Sequence, residues 1–156
     1  MSQVPLDPIY ISFHNDDPSM MPSCIVDGQS DTFVLTTGSF PQDIVFSVGT
    51  SASANLTSLS FVLHEAKEVI VERCASAIPT NFEPITKLSL ARSAEGTKQV
   101  EKLSLDPNKE GKNIRYLRMR VMSGYNHFVG IFNVVAEGEE SQQRIAVLES
   151  RPEVVM

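Results

Sequence analysis

The chain of 156 residues is long enough for one domain with a real core. Its 42% hydrophobic and 21% charged residues exclude a generally disordered chain, and no run approaches the ~18 apolar residues that a membrane span needs. A net charge of −6 without a basic stripe argues against nucleic-acid binding as the main task. That charge is unevenly placed: residues 1–60 hold six Asp and no Lys or Arg, residues 61–138 are net +2, and residues 139–156 are net −2. The acidic first third reads foremost as a solvated surface, although it would also favour a cation nearby.

Taken in order, the opening Met1 to Pro8 is neither basic nor apolar, so no secretory signal is expected. In a cytosolic chain Cys24 and Cys74 would stay reduced as buried thiols, and the sequon Asn55-Leu56-Thr57 would go unmodified. Ile9 to Phe13 reads as a first strand. The stretch Ile25-Val26-Asp27-Gly28-Gln29-Ser30-Asp31-Thr32-Phe33 follows, with a second strand expected over Thr32 to Thr37. Asp-Gly and Gln-Ser-Asp are ordinary turn chemistry, yet the same carboxylate and carbonyl oxygens are what a hard cation requires. Composition alone leaves both readings open.

Further strands are expected over Asp43 to Val48, Leu56 to Leu63, Val69 to Cys74 and Ile85 to Ala91. Leu59, Phe61 and Leu63 share one face. The clearest pair is Ile114 to Ser123 and His127 to Glu137, separated by Gly124-Tyr125-Asn126. In the first, Leu117, Met119 and Val121 alternate with Arg118 and Arg120; in the second, Phe128, Phe132 and Val134 are expected on one face. Many short strands at ~8–12-residue spacing predict an all-β sandwich or barrel. The domain is expected to occupy residues 1–138, with a flexible polar tail over 139–156 in which Ile145 to Leu148 could form a short helix or docking strand.

No catalytic pattern emerges. His14, His64 and His127 lack zinc-ligand spacing, and no nucleophile elbow, Walker loop or dinucleotide fingerprint occurs. The cluster Gly124-Tyr125-Asn126-His127 reads as a hairpin loop that could contact a sugar or a protein. Arg118 and Arg120 read as a solvated strand face or as partners for acidic groups.

The loop Ile25 to Phe33, continued by Thr36-Thr37-Gly38-Ser39-Phe40-Pro41-Gln42, resembles the opening segment of the intraflagellar transport protein 25 family. Tyr116-Leu117-Arg118, Ser123 to Phe128, and Ala136-Glu137-Gly138 resemble its closing strands, with Phe82-Glu83 and Ala94-Glu95-Gly96 fitting more loosely between. The likeness spans residues 8–138. It implies a jelly-roll β-sandwich of the galactose-binding-domain-like, discoidin type. It also implies a non-enzymatic subunit of intraflagellar transport complex B. That subunit would form a heterodimer with the Rab-like small GTPase intraflagellar transport protein 27. It would work in the cilium or flagellum and the cytoplasm, supporting export of signalling proteins.

Members of the wider fold group hold Ca²⁺ where this loop meets the last strand. Carried over position by position, the resemblance implies ligands from Cys24, Asp27, Gln29, Thr32, Ala136 and Glu137. Two carboxylates, a hydroxyl and several carbonyls suit Ca²⁺, which takes ~6–8 oxygens. Cys24 stands where an Asn-like residue is expected, a change that a carbonyl ligand tolerates. The alternative function is a carbohydrate-binding module of discoidin or fucolectin type, with His127, Tyr125 and Arg118 as contact candidates; the absence of tryptophan counts against it. A small-heat-shock-like chaperone ranks last, since no I-x-I/V tail motif is present.

Overall fold

A computed structural model describes residues 2–13, 21–29, 31–36, 39–50, 53–92, 94 and 97–140. His14, Ser30, Thr37, Gly38, Glu95, Gly96 and the segment 141–156, with its Ile145 to Leu148 cluster, lie outside the described residues.

Ten strands form the fold: β1 (Ser2–Val4), β2 (Leu6–Ile11), β3 (Val34–Leu35), β4 (Gln42–Val48), β5 (Ala54–His64), β6 (Ala66–Cys74), β7 (Glu83–Ser89), β8 (Gln99–Ser104), β9 (Tyr116–Gly124) and β10 (Gly130–Glu140). One sheet runs β1-β10-β5-β8, with β3 also on β10; the other runs β2-β4-β9-β6-β7. The pairings between these strands are antiparallel. This is a β-sandwich, one of the two forms that the strand spacing predicts, and it is the jelly roll that the resemblance implies.

Alternation decides what lies between the sheets. Ile44, Phe46 and Val48 on β4 meet Leu117, Met119 and Val121 on β9. From the opposite sheet come Leu59, Phe61 and Leu63 on β5 with Ile131, Val134 and Ala136 on β10. Phe46, Phe61, Leu63, Leu117, Met119 and Ile131 are all at most 2% exposed, each burial contributing about 1.5–3 kcal/mol. The chain changes sheet abruptly at Glu65, whose positive φ of 63° lets β5 end and β6 begin one residue apart.

Several expectations are corrected. The stretch Thr32 to Thr37 contributes only the two-residue β3. β1 and β8 were not expected, because each carries too few apolar residues to register as alternation. Phe128 precedes β10 and is exposed, and a bulge between Ile131 and Val134 breaks the expected face. Val134 therefore points inward, while Phe132 stacks on Phe33 at 5.0 Å and lies under Lys98. β10 runs to Glu140, two residues past the expected boundary, where the Glu140 carboxylate accepts from the Thr50 N–H at 2.6 Å. Cys74 is buried as expected but Cys24 is only half-buried; neither forms a disulfide among the described residues.

Candidate metal centre

The loop after β2 begins with a 3-10 turn, Pro22–Ile25, that buries Ile25 completely. Proline in the first turn costs no hydrogen bond there, and Ile25 anchors the turn in the core. Beyond it the backbone reverses at Gly28, whose φ of 78° suits a residue without Cβ. Asp27 fixes this reversal by accepting the Gln29 N–H at 2.9 Å, an Asx turn.

The reversal gathers oxygens around one hydroxyl. Thr32 Oγ1 lies 3.1 Å from the Cys24 carbonyl, 2.8 and 2.9 Å from the two Asp27 carboxylate oxygens, and 3.4 Å from the Gln29 carbonyl. A threonine hydroxyl has one proton to donate, so most of these oxygens face one another without a hydrogen between them. Only Asp27 among them is charged. Such a set of carbonyls, a hydroxyl and one carboxylate fits a hard cation of the Ca²⁺ type. Among the described residues His, Cys, Asp and Glu side chains nowhere gather in threes, so any such centre must rest largely on neutral oxygens.

Of the six residues that the resemblance implies, the fold thus unites Cys24, Asp27, Gln29 and Thr32. Ala136 is brought to the same region. β10 pairs with β3 at Gly130 and Ile131 and with β1 at Ala136 to Gly138, leaving its edge over residues 132–135 without a strand partner. The loop packs into that gap. A cleft of about 110 Å³ there is bounded by Val26 and Gly28 on the loop, by Pro5 and Leu6, and by Asn133 to Ala136 on β10. Glu137 is not joined to the loop. It alternates to the outer face of the sheet, opposite Gln3 and Ser58, and its carboxylate accepts from Ser58 Oγ at 2.8 Å. Asn133, which sequence reasoning did not single out, also bounds this cleft, and its Oδ1 is buried with no hydrogen-bond partner among the described residues. Asn133 stands where the register shifts between Ile131 and Val134, so alternation does not tell which way it faces.

The other candidates are tied down elsewhere. Arg118 pairs with Glu72 at 2.5 Å and stacks 4.4 Å from the centre of the Phe82 ring, while Arg120 pairs with Asp43 at 2.9 Å. Tyr125 donates its hydroxyl to the Leu90 carbonyl at 2.6 Å and sits about 20 Å along β9 from Arg118 at the rise of a strand. The supposed sugar contacts Arg118, Tyr125 and His127 therefore do not converge. Nearby, Arg92 forms a two-pronged pair with Glu65 at 2.7 and 3.0 Å, and its hydrogen bond holds the Glu65 carboxyl below the ordinary range.

No protein-family model matches the chain. It is 28% identical over 124 residues to the intraflagellar transport protein 25 homolog of Homo sapiens, covering 80% of this chain and 81% of that one. To intraflagellar transport protein 25 of Chlamydomonas reinhardtii it is 25% identical over 123 residues, 78% of this chain and 60% of that longer one. Among solved structures, a family 32 carbohydrate-binding module of C. perfringens in complex with galactose superposes with a TM-score of 0.64 at 11% identity, covering 85% and 92% of the two chains. A chitosan-binding module from Paenibacillus sp. IK-5 gives 0.67 at 15% identity over 83% and 92%. The fold is thus that of the galactose-binding-like jelly rolls, and across four-fifths of its length the sequence is similar to intraflagellar transport protein 25.

Proposed function

We propose that this chain is a non-enzymatic subunit of the intraflagellar transport machinery, within complex B, as a heterodimer with the Rab-like small GTPase intraflagellar transport protein 27. In this role it supports export of signalling proteins from the cilium or flagellum and also resides in the cytoplasm. The observation that carries the reading is the likeness to intraflagellar transport protein 25 of both an animal and a green alga, over 124 and 123 residues.

A permanent partner needs roughly 800 Å² of compatible surface on each side. The outer face of the β1-β10-β5-β8 sheet offers an apolar patch of Val62, Val100 and Val135 beside Ser60, with Val100 72% exposed, flanked by Lys102 opposite Ser60 and Glu137 opposite Ser58. We assign the GTPase to this face. In the same reading the loop holds a structural Ca²⁺ through the Cys24 and Gln29 carbonyls, Asp27 and Thr32, with a carbonyl of β10 near Ala136. The ion would tie the loop to the closing strand.

Affinity capture of the tagged full chain from a ciliated or flagellated cell tests the assignment. Stoichiometric recovery of a Rab-like GTPase with other transport subunits is the expected outcome. Recovery of the chain alone as a monomer would reduce the likeness to one of fold. Carbohydrate binding is the alternative, favoured by the superposition on sugar-binding modules. A reproducible preference on a glycan array would establish it.

A further inference from the structure

We infer that the segment Ile145 to Leu148, outside the described residues, docks on this chain's own β8 as an added strand and closes the flank of the sandwich. β8 and β7 are the outermost strands of their sheets, each with one edge that no described strand pairs. Leu105 donates its N–H to the Thr57 carbonyl at 2.9 Å. Alternation along the antiparallel ladder therefore turns the backbone groups of Ser104, Lys102 and Val100 away from β5. Between the two edges lies a cleft of about 230 Å³, bounded by Ile85, Thr86, Leu103, Ser104, Leu105 and Glu110. Ile85 and Leu103 are only partly buried against the core. The rim of this cleft is already built. Arg73 donates to the Glu110 and Lys112 carbonyls at 3.2 and 2.9 Å, and the Glu110 carboxylate accepts the Asp106 N–H at 2.8 Å.

Reach, direction and charge select the occupant. β10 ends at Glu140 opposite Ala54, and Ser104 stands opposite Ser58 on the other side of β5. Two strand spacings across and four residues along separate them, about 16 Å. The extended stretch Ser141 to Ile145 spans about 16 Å, so the first apolar residue arrives at the cleft. β10 and β8 both run antiparallel to β5, so a chain that turns back at this end meets β8 antiparallel. Alternation then sends either Ile145 and Val147 or Ala146 and Leu148 toward Ile85 and Leu103. Arg144 enters beside Glu110, and Glu149 leaves along the edge that carries Lys102. So short a tether holds the segment at an effective concentration on the order of mM, which a separate peptide would have to match.

Amide hydrogen exchange on the full chain, read residue by residue by NMR, tests this. The Lys102 and Ser104 N–H groups are expected to exchange at least about tenfold more slowly than unpaired amides. Ile145→Ser, Ala146→Ser, Val147→Ser and Leu148→Ser together should return both to the unpaired rate, while the Leu105 amide stays protected by Thr57. Glu149→Lys should lower the protection of Ser104 about threefold, and Lys102→Glu added to it should restore that protection.

Unpaired rates at both amides in the wild type, or equal protection in wild type and the serine variant, would overturn the assignment. Protection that rises with protein concentration, together with a dimer in sedimentation, would overturn it by giving the edge to a second copy. No recovery in the charge-exchanged pair would overturn the antiparallel direction.

Discussion

On the outer side of the β2-β4-β9-β6-β7 sheet, Arg120 meets Asp43 at 2.9 Å and Arg118 meets Glu72 at 2.5 Å, each pair crossing between neighbouring strands. The corresponding side of the β1-β10-β5-β8 sheet presents Ser60, Val62, Val100 and Val135, with Lys102 opposite Ser60 and Glu137 hydrogen-bonded to Ser58. The first face is held together by its own charges, and its polar groups have partners already. The second is held from beneath: Gly138 lies so close to β5 that a Cβ on it would stand 2.2 Å from the Asn55 carbonyl. Two faces of one sandwich thus differ in their chemistry, one tied by cross-strand ion pairs and the other by close backbone approach and a single Ser58–Glu137 hydrogen bond. The valines of the second face, Val62, Val100 and Val135, are the ones that cross-strand charge does not engage.

The contrast can be broken most severely at Gly138. Gly138→Ala forces β10 away from β5 and is expected to cost about 3 kcal/mol, read as a lowered denaturant midpoint with an unchanged slope. On the charged face, Glu72→Gln leaves the half-buried Arg118 without its counter-ion and should cost about 2 kcal/mol. Glu72→Gln combined with Arg118→Met should recover part of that loss; a double variant no better than the single would show that the pair is not the source of cohesion.

Val100→Glu sharpens the comparison from the other side. It is expected to leave the melting temperature unchanged and to cut GTPase capture tenfold or more, about 1.4 kcal/mol, whereas Glu72→Gln leaves capture intact. Equal capture by both variants would dissolve the assigned face. The smallest effect concerns Arg92→Gln. Arg92 holds the Glu65 carboxyl below its ordinary value, so the pair stabilises at neutral pH and above that value. Its contribution fades as pH falls through the lowered pKa, and the small gap in melting temperature between wild type and Arg92→Gln should close as pH falls below the ordinary carboxylate range.

Much of this architecture is legible in the residues. Leu117, Met119 and Val121 against Arg118 and Arg120 give β9 and both of its faces, and the same arginines prove to be the charged cross-ties. What is not legible depends on irregularity. β10 could be seen as a strand, but its bulge at residues 132–133 reverses the phase, so Phe132 and Val134 part company. The gap between β3 and β1 that makes this matter is set by two short strands of two and three residues. Neither has enough alternation to be noticed. In the loop the reverse holds: Asp27, Gly28, Gln29 and Thr32 are close in sequence, so their convergence is local and could be read.

The pairing of Val4 with Ala136 has a further consequence for how the molecule is made. These strands stand more than a hundred residues apart, and β10 is also the central partner of β5. A ribosome therefore releases most of the polypeptide before this sheet can close, and contacts of such long range form slowly. Until then the surface assigned to the GTPase does not exist. A partner docking on that face, as proposed above, would recognise only chains whose synthesis has passed β10.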